Sequence, residues 1–215
     1  FYKKLIDKAS INYSHIRTIH REQAVIAISQ FFPSEIVKYI NSKSAVHTRS
    51  SFVISYTIQI CKMNLRLNFY VFDKITLAYL DEYAYYVFQI LCLLKSAVPR
   101  PDINKTLKID VYLTPFKREL PKKRGVVVGA SHVNGGFTRP GMRNGHIVVY
   151  RKQEWFKVLI HEAIHSFALD FSLIGVGMGA KAGMDASLRK IFPIQSNYNL
   201  LETYTEFWAE ILNVS

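Results

Sequence analysis

Apolar residues recur at helical spacing from REQAVIAISQFF through PSEIVKYINSK, and Pro33-Ser34-Glu35 resembles a helix start with an acid in its first turn. This pattern predicts two short helices. The runs SFVISYTIQI and LRLNFYVF alternate on either side of CKMN, which predicts a β-hairpin over about residues 51–72. Asp73 opens a long helical pattern, DKITLAYLDEYAYYVFQILCLLKSA, that Val98-Pro99 terminates. TLKIDVYLT (Thr106 to Thr114) alternates as a strand. GVVVGASHVNGGFTRPGMRNGHIVVYR supplies two or three short strands separated by glycines, HIVVY being the clearest. From Gln153 to Phe171 the apolar positions Trp155, Phe156, Leu159, Ile160, Ala163, Ile164 and Phe167 keep a helical period. IGVGMGAKAGMDAS reads as a flexible loop and YNLLETYTEFWAEIL as the last helix.

These elements predict an α+β chain. Residues 1–100 read as a mainly helical N-terminal region carrying the hairpin, and residues 101–215 as a compact second domain. Phe1 at the start, and AEILNVS stopping in or just after a helix, make the chain read as a piece of a longer polypeptide whose second domain is open to continuation beyond Ser215.

The chemistry concentrates in VLIHEAIHSF, residues 158–167. Residues four apart on a helix share a face, so His161 and His165 can present two imidazoles to one zinc ion at the roughly 2.0–2.1 Å it requires. Glu162 lies about 100° around the helix from His161, so it is placed to serve as general base toward water rather than as a ligand. A chance HExxH would leave two histidines bonded to carbonyls or solvent. Here the neighbours Val158, Leu159, Ile160, Ala163, Ile164, Ser166 and Phe167 are all uncharged, so the helix is built for burial, and buried histidines one turn apart need a shared partner.

These residues resemble the zincin metallopeptidases, whose motif helix carries similar uncharged neighbours. The resemblance implies a zincin-like domain with a small twisted sheet, an HExxH helix and a glutamate helix, and it implies zinc-dependent hydrolysis of peptide bonds. A metzincin would carry Gly and His where this chain has Ala168 and Phe171, and the GTxxD of aspzincins is absent downstream. A glutamate on a later helix is left, as in gluzincins. ETYTEFWAE offers Glu202, Glu206 and Glu210 at four-residue spacing along one stripe. EFWAE is similar to the EFFAE segment of the anthrax lethal factor type, which implies Glu206 as third ligand and Glu210 as its outer support. The competing register, similar to the ExxxD of thermolysin-like enzymes, makes Glu202 the ligand and Glu206 the support.

By placement Tyr198 resembles the active-site tyrosine of lethal-factor-type enzymes, which implies an oxyanion stabiliser; Tyr204 is the alternative. HVNGGFT and HIVVYR lie where zincins keep the strands that bind extended substrate, so Asn134, Gly135 and Gly136 are candidate substrate contacts, the glycines letting backbone come close. A tight turn explains them equally. His132 and His146 lack ligand spacing to the motif and read as surface or structural. The run from HVNGGFT to YTEFWAE also resembles predicted zinc peptidases encoded by large DNA viruses.

Composition adjusts this picture slightly. With 49% hydrophobic residues in 215, the chain is globular. Its formal charge of +12 favours acidic partners, an acidic peptide or protein substrate among them. Much of the excess lies in RPDINKTLK and FKRELPKKR, which read as solvated loops without interleaved aromatics, so nucleic acid is not the expected partner. Two cysteines, Cys61 and Cys92, are too few for a disulfide framework and fit a reducing compartment such as a host cytoplasm or virion. YYVFQILCLL is half the length of a membrane span and reads as a buried helix, and no signal peptide is visible. Two other readings stay open: a zincin fold that has lost catalysis and serves as a binding module, and a basic nucleic-acid-associated structural protein in which HEAIH is accidental.

Overall fold

The computed structural model describes residues 16–20, 32–45, 52–98, 100–121, 125–126, 130–170, 186–193 and 199–214. They form an α+β protein. In chain order the elements are β1 (Ile16–His20), α1 (Ser34–Ala45), β2 (Phe52–Ile60), β3 (Met63–Val71), α2 (Leu77–Ser96), β4 (Thr106–Leu113), α3 (Ala130–Val133), β5 (Gly136–Thr138), β6 (Asn144–Val149), α4 (Trp155–Ser166) and α5 (Leu200–Val214). Residues 186–191 are also helical. The helix expected over REQAVIAISQFF, most of the glycine-rich stretch, and Tyr198 lie outside the described residues.

The six strands make one sheet in the order β1-β2-β3-β4-β6-β5. β1, β2 and β3 pair antiparallel, β4 runs parallel to both β3 and β6, and β5 closes the row antiparallel to β6. The hairpin between β2 and β3 turns on Cys61 and Lys62 alone, at φ 47° and 61°. Positive φ at both central residues is what a two-residue type I′ connection demands. Met63 and Asn64, read from sequence as part of the break, already belong to β3.

α2 is the crossover that parallel β3 and β4 require. Its buried residues Leu80, Ala84, Val87, Leu91 and Leu94 recur at helical spacing. They pack into one apolar cluster with Leu65, Leu67 and Phe69 of β3 and Ile109 and Val111 of β4. β4 ends in an unbroken buried run because a strand inside a parallel pair is covered on both faces. The division expected near residue 100 therefore does not separate two cores. β3 and β4 pair across it from Asn64↔Thr106 to Val71↔Leu113, and the same cluster runs from Ile54 to Ala209. The crossover helix ends at Ser96 with Ala97 as its cap, and the strands that flank it stay paired.

On the opposite sheet face, Ile36 and Ile40 of α1 pack with Phe32, Phe72, Tyr112, Val148 and Tyr150. Further along that face Asp110, only 3% exposed, accepts hydrogen bonds from Asn68 Nδ2 at 2.7 Å and Lys108 Nζ at 2.8 Å and pairs with His146 Nε2 at 2.8 Å. Burial works against its charge, but the His146, Lys108 and Asn68 contacts outweigh it and hold the Asp110 pKa below its ordinary value. Among the described residues no helix is long and apolar enough to cross a membrane.

Candidate metal centre

α4 carries the HEAIH motif and is pressed onto the sheet by its apolar side. Trp155 meets Phe69 edge-on at 5.6 Å between ring centroids and tilts against Tyr83 of α2 at 5.0 Å. The helix ends at Ser166, short of the predicted Phe171. Ala168 adopts φ 55°; its N–H donates to His165 O at 2.8 Å, and the Leu169 N–H donates to Ile164 O at 3.0 Å. This is a Schellman stop with alanine in the left-handed position that glycine usually fills, at a cost of about 1 kcal/mol. The turn sends the chain back along the helix, so that Asp170, 2% exposed, reaches His165.

Gly135 and Gly136 fit α4 against β5. A Cβ on Gly136 would lie 2.7 Å from Val148 O, 3.0 Å from Val158 Cγ1 and 3.1 Å from Glu162 Cγ. One on Gly135 would lie 3.0 Å from Val158 Cγ2. The missing side chains thus make room for the motif helix. Asn134, Gly135 and Gly136 line the cleft over the motif.

Three donor atoms converge above α4. His161 Nε2 and His165 Nε2 are 3.1 Å apart, and Glu202 Oε2 stands 3.1 Å from the first and 3.4 Å from the second. Four bonds of about 2.0–2.1 Å in a tetrahedron put neighbouring donors about 3.3–3.4 Å apart, close to these edges. The outward nitrogens are already engaged: His161 Nδ1 lies 3.0 Å from Glu206 Oε2 and His165 Nδ1 lies 2.5 Å from Asp170 Oδ2. With an N–H on each Nδ1, both neutral imidazoles aim an Nε2 lone pair at the same place as a carboxylate oxygen. Such a set repels itself unless a cation or protons fill the gap. His161, His165 and Glu202 are accordingly the described residues able to hold a metal ion together.

The register of the glutamate helix differs from the one favoured on sequence. Glu206, expected as third ligand, bonds the outward nitrogen of His161 and accepts from Lys157 Nζ at 2.6 Å, while Glu210 accepts from the same ammonium at 2.9 Å. Glu202, one turn earlier, faces both Nε2 atoms. Thr205 and Ala209 are the buried residues of α5 and fix which turn meets the histidines.

Charge follows the geometry. Hydrogen bonds to His161 and then His165 hold Glu202 far below the ordinary carboxylate range. Burial works against charging His165, but the Glu202 and Asp170 carboxylates outweigh it and raise its pKa to about 9. Burial pushes Glu162 up to about 7 against the pull of His161 and His165. Burial also opposes charge on Lys157, yet Glu206 and Glu210 keep its pKa raised.

A cleft of about 690 Å³ opens over these groups, with His161, Glu162, His165 and Glu202 on its floor and Asn134 to Thr138 and Arg118 on its walls. Tyr204, the alternative oxyanion candidate, packs edge-on to Trp208 at 6.3 Å and does not line the cleft. His146 belongs to the Asp110 network on the other face of the sheet.

Sequence reasoning missed three participants. Arg118 lay in a run read as a solvated loop, Asp170 fell inside the helical period read as far as Phe171, and Lys157 one turn ahead of His161 was the charged residue inside an otherwise apolar helix face. That last feature was a usable signal, because a buried ammonium requires acids nearby. Lys157→Met keeps the stem and deletes the cation that ties Glu206 and Glu210 to α4. Denaturant unfolding is expected to show a loss of about 1–3 kcal/mol. Unchanged stability would mean that the clamp contributes nothing.

A scan of known protein families, a search of curated proteins and a search of solved structures each return no match. The functional reading therefore rests on the site's own geometry.

Proposed function

We propose that this chain is a zinc-dependent peptidase of zincin-like architecture, with zinc held by His161, His165 and Glu202 and water activated by Glu162. The observation that carries the reading is the convergence of two Nε2 atoms and one carboxylate oxygen at 3.1–3.4 Å, each imidazole being backed by a carboxylate on its other nitrogen. That arrangement suits a metal with one open position.

A bound zinc supplies Lewis acidity, polarising a carbonyl and acidifying water. Glu206 and Asp170 accept Nδ1–H bonds and so fix the tautomer in which both Nε2 lone pairs face inward. Glu162 lines the same cleft and stays outside the converging set. With its pKa near 7, its carboxylate can take a proton from the attacking water and return it to the departing amine. β5 pairs with β6 on one side only among the described strands, which leaves an edge along which an extended peptide can add as a further strand.

Elemental mass spectrometry of the purified protein is expected to find about one zinc per chain, as a single four-coordinate site requires. A mixture of unstructured peptides should be cleaved, chelator should stop the cleavage, and zinc should restore it. Protein that neither contains zinc nor takes it up overturns the proposal.

A further inference from the structure

We propose that Cys61 and Cys92 are a modification site: a thiol pair that closes into an intramolecular disulfide by exchange with a small-molecule disulfide, pinning the β2–β3 turn to the crossover helix α2. This site is independent of the metal centre and of the peptidase reading. The chain has only two cysteines, and their Sγ atoms lie 2.7 Å apart although 31 positions separate them in sequence. That separation is about 0.7 Å more than an S–S bond, so closure needs little movement of either side chain. Cys61 is held at the tip of the hairpin by its left-handed backbone, φ 47°, and Cys92 is set by the last turns of a well-packed helix.

The two thiols differ in a way that orders the chemistry. Cys61 is exposed and Cys92 half-buried. Burial, reinforced by the Cys61 sulfur, pushes the Cys92 thiol up to about 12. Cys61 therefore starts. Its thiolate attacks a glutathione-type disulfide, forming a mixed disulfide and releasing one thiolate. Cys92 then gives up its proton and attacks the Cys61 sulfur, releasing the second thiol. Two protein thiols are oxidised, one external disulfide is reduced to two thiols, and no other electron acceptor is needed. The closed loop contains β3 and most of α2, so the bridge removes freedom from the unfolded chain.

The test is to equilibrate the purified chain with oxidised glutathione, block remaining thiols with iodoacetamide and measure intact mass and melting temperature. Wild type is expected to lose the mass of two hydrogens, take up no alkyl group, stay a single chain on a non-reducing gel and melt roughly 5–10 °C higher. Dithiothreitol should reverse both changes, and Cys61→Ser and Cys92→Ser should show neither. Two alkylated cysteines, a persistent glutathione adduct or a bridge between chains would overturn the proposal.

Discussion

Glu162→Gln is expected to leave zinc content unchanged and lower kcat for peptide hydrolysis by about 10²–10⁴-fold, with KM nearly constant. The substitution keeps shape. Glu162 is 9% exposed, and its Cγ packs closely against the place where Gly136 lacks a Cβ, so a smaller or larger replacement would disturb β5 and confuse the result. An amide in the same volume accepts no proton at working pH. It also suits the site, because burial already drives the Glu162 carboxyl toward its neutral form. Folding stability should therefore hold or rise while the chemical step collapses. Retained hydrolysis would remove Glu162 from the role of base. Loss of zinc in parallel with activity would show instead that Glu162 supports the ligand helix.

The parts of this molecule that local pattern decides were legible in advance. α1, α2, β4 and α4 follow from apolar periodicity, and the hairpin follows from two alternating runs, because period 3.6 and period 2 are properties of neighbouring residues. His161, Glu162 and His165 were legible for the same reason, since one helix carries all three. The third donor was not. Glu202, Glu206 and Glu210 share one stripe, and the one that meets the imidazoles depends on how far α5 slides along α4. That position is set by the burial of Thr205 and Ala209 and by the Lys157 clamp, none of which the periodicity of α5 encodes. Asp170 was hidden because the turn that returns it to His165 uses Ala168 at positive φ, where glycine would have signalled a stop. Cys61 and Cys92 meet only after a hairpin and a crossover have formed. β3 and β4 pair across the boundary expected near residue 100, and that pairing joins residues more than 35 positions apart, which no local pattern encodes.

The slide of α5 along α4 also makes the two glutamates separable by experiment. Glu202→Ala removes one of three converging donors, and the bound zinc should fall to background in dialysed protein, as it should for His165→Ala. Glu206→Ala leaves the converging set intact and deletes the acceptor at His161 Nδ1, so zinc should stay but bind about 10–100-fold more weakly. It also frees Lys157 from one of its two acids, so some loss of stability should accompany the weaker binding. Equilibrium competition against a chelator of known affinity reads the first effect, and thermal unfolding of the zinc-free proteins reads the second. The metal readout should place Glu202→Ala well below Glu206→Ala. Glu202 is costly to lose for metal, and in the zinc-free protein its removal also takes away the carboxylate that helps raise the His165 pKa. Glu206, bonded to Lys157 as well as His161, is costly for folding and moderate for metal. Zinc lost in Glu206→Ala and kept in Glu202→Ala would restore the register that EFWAE suggests, and would require α5 to sit one turn from where it packs here.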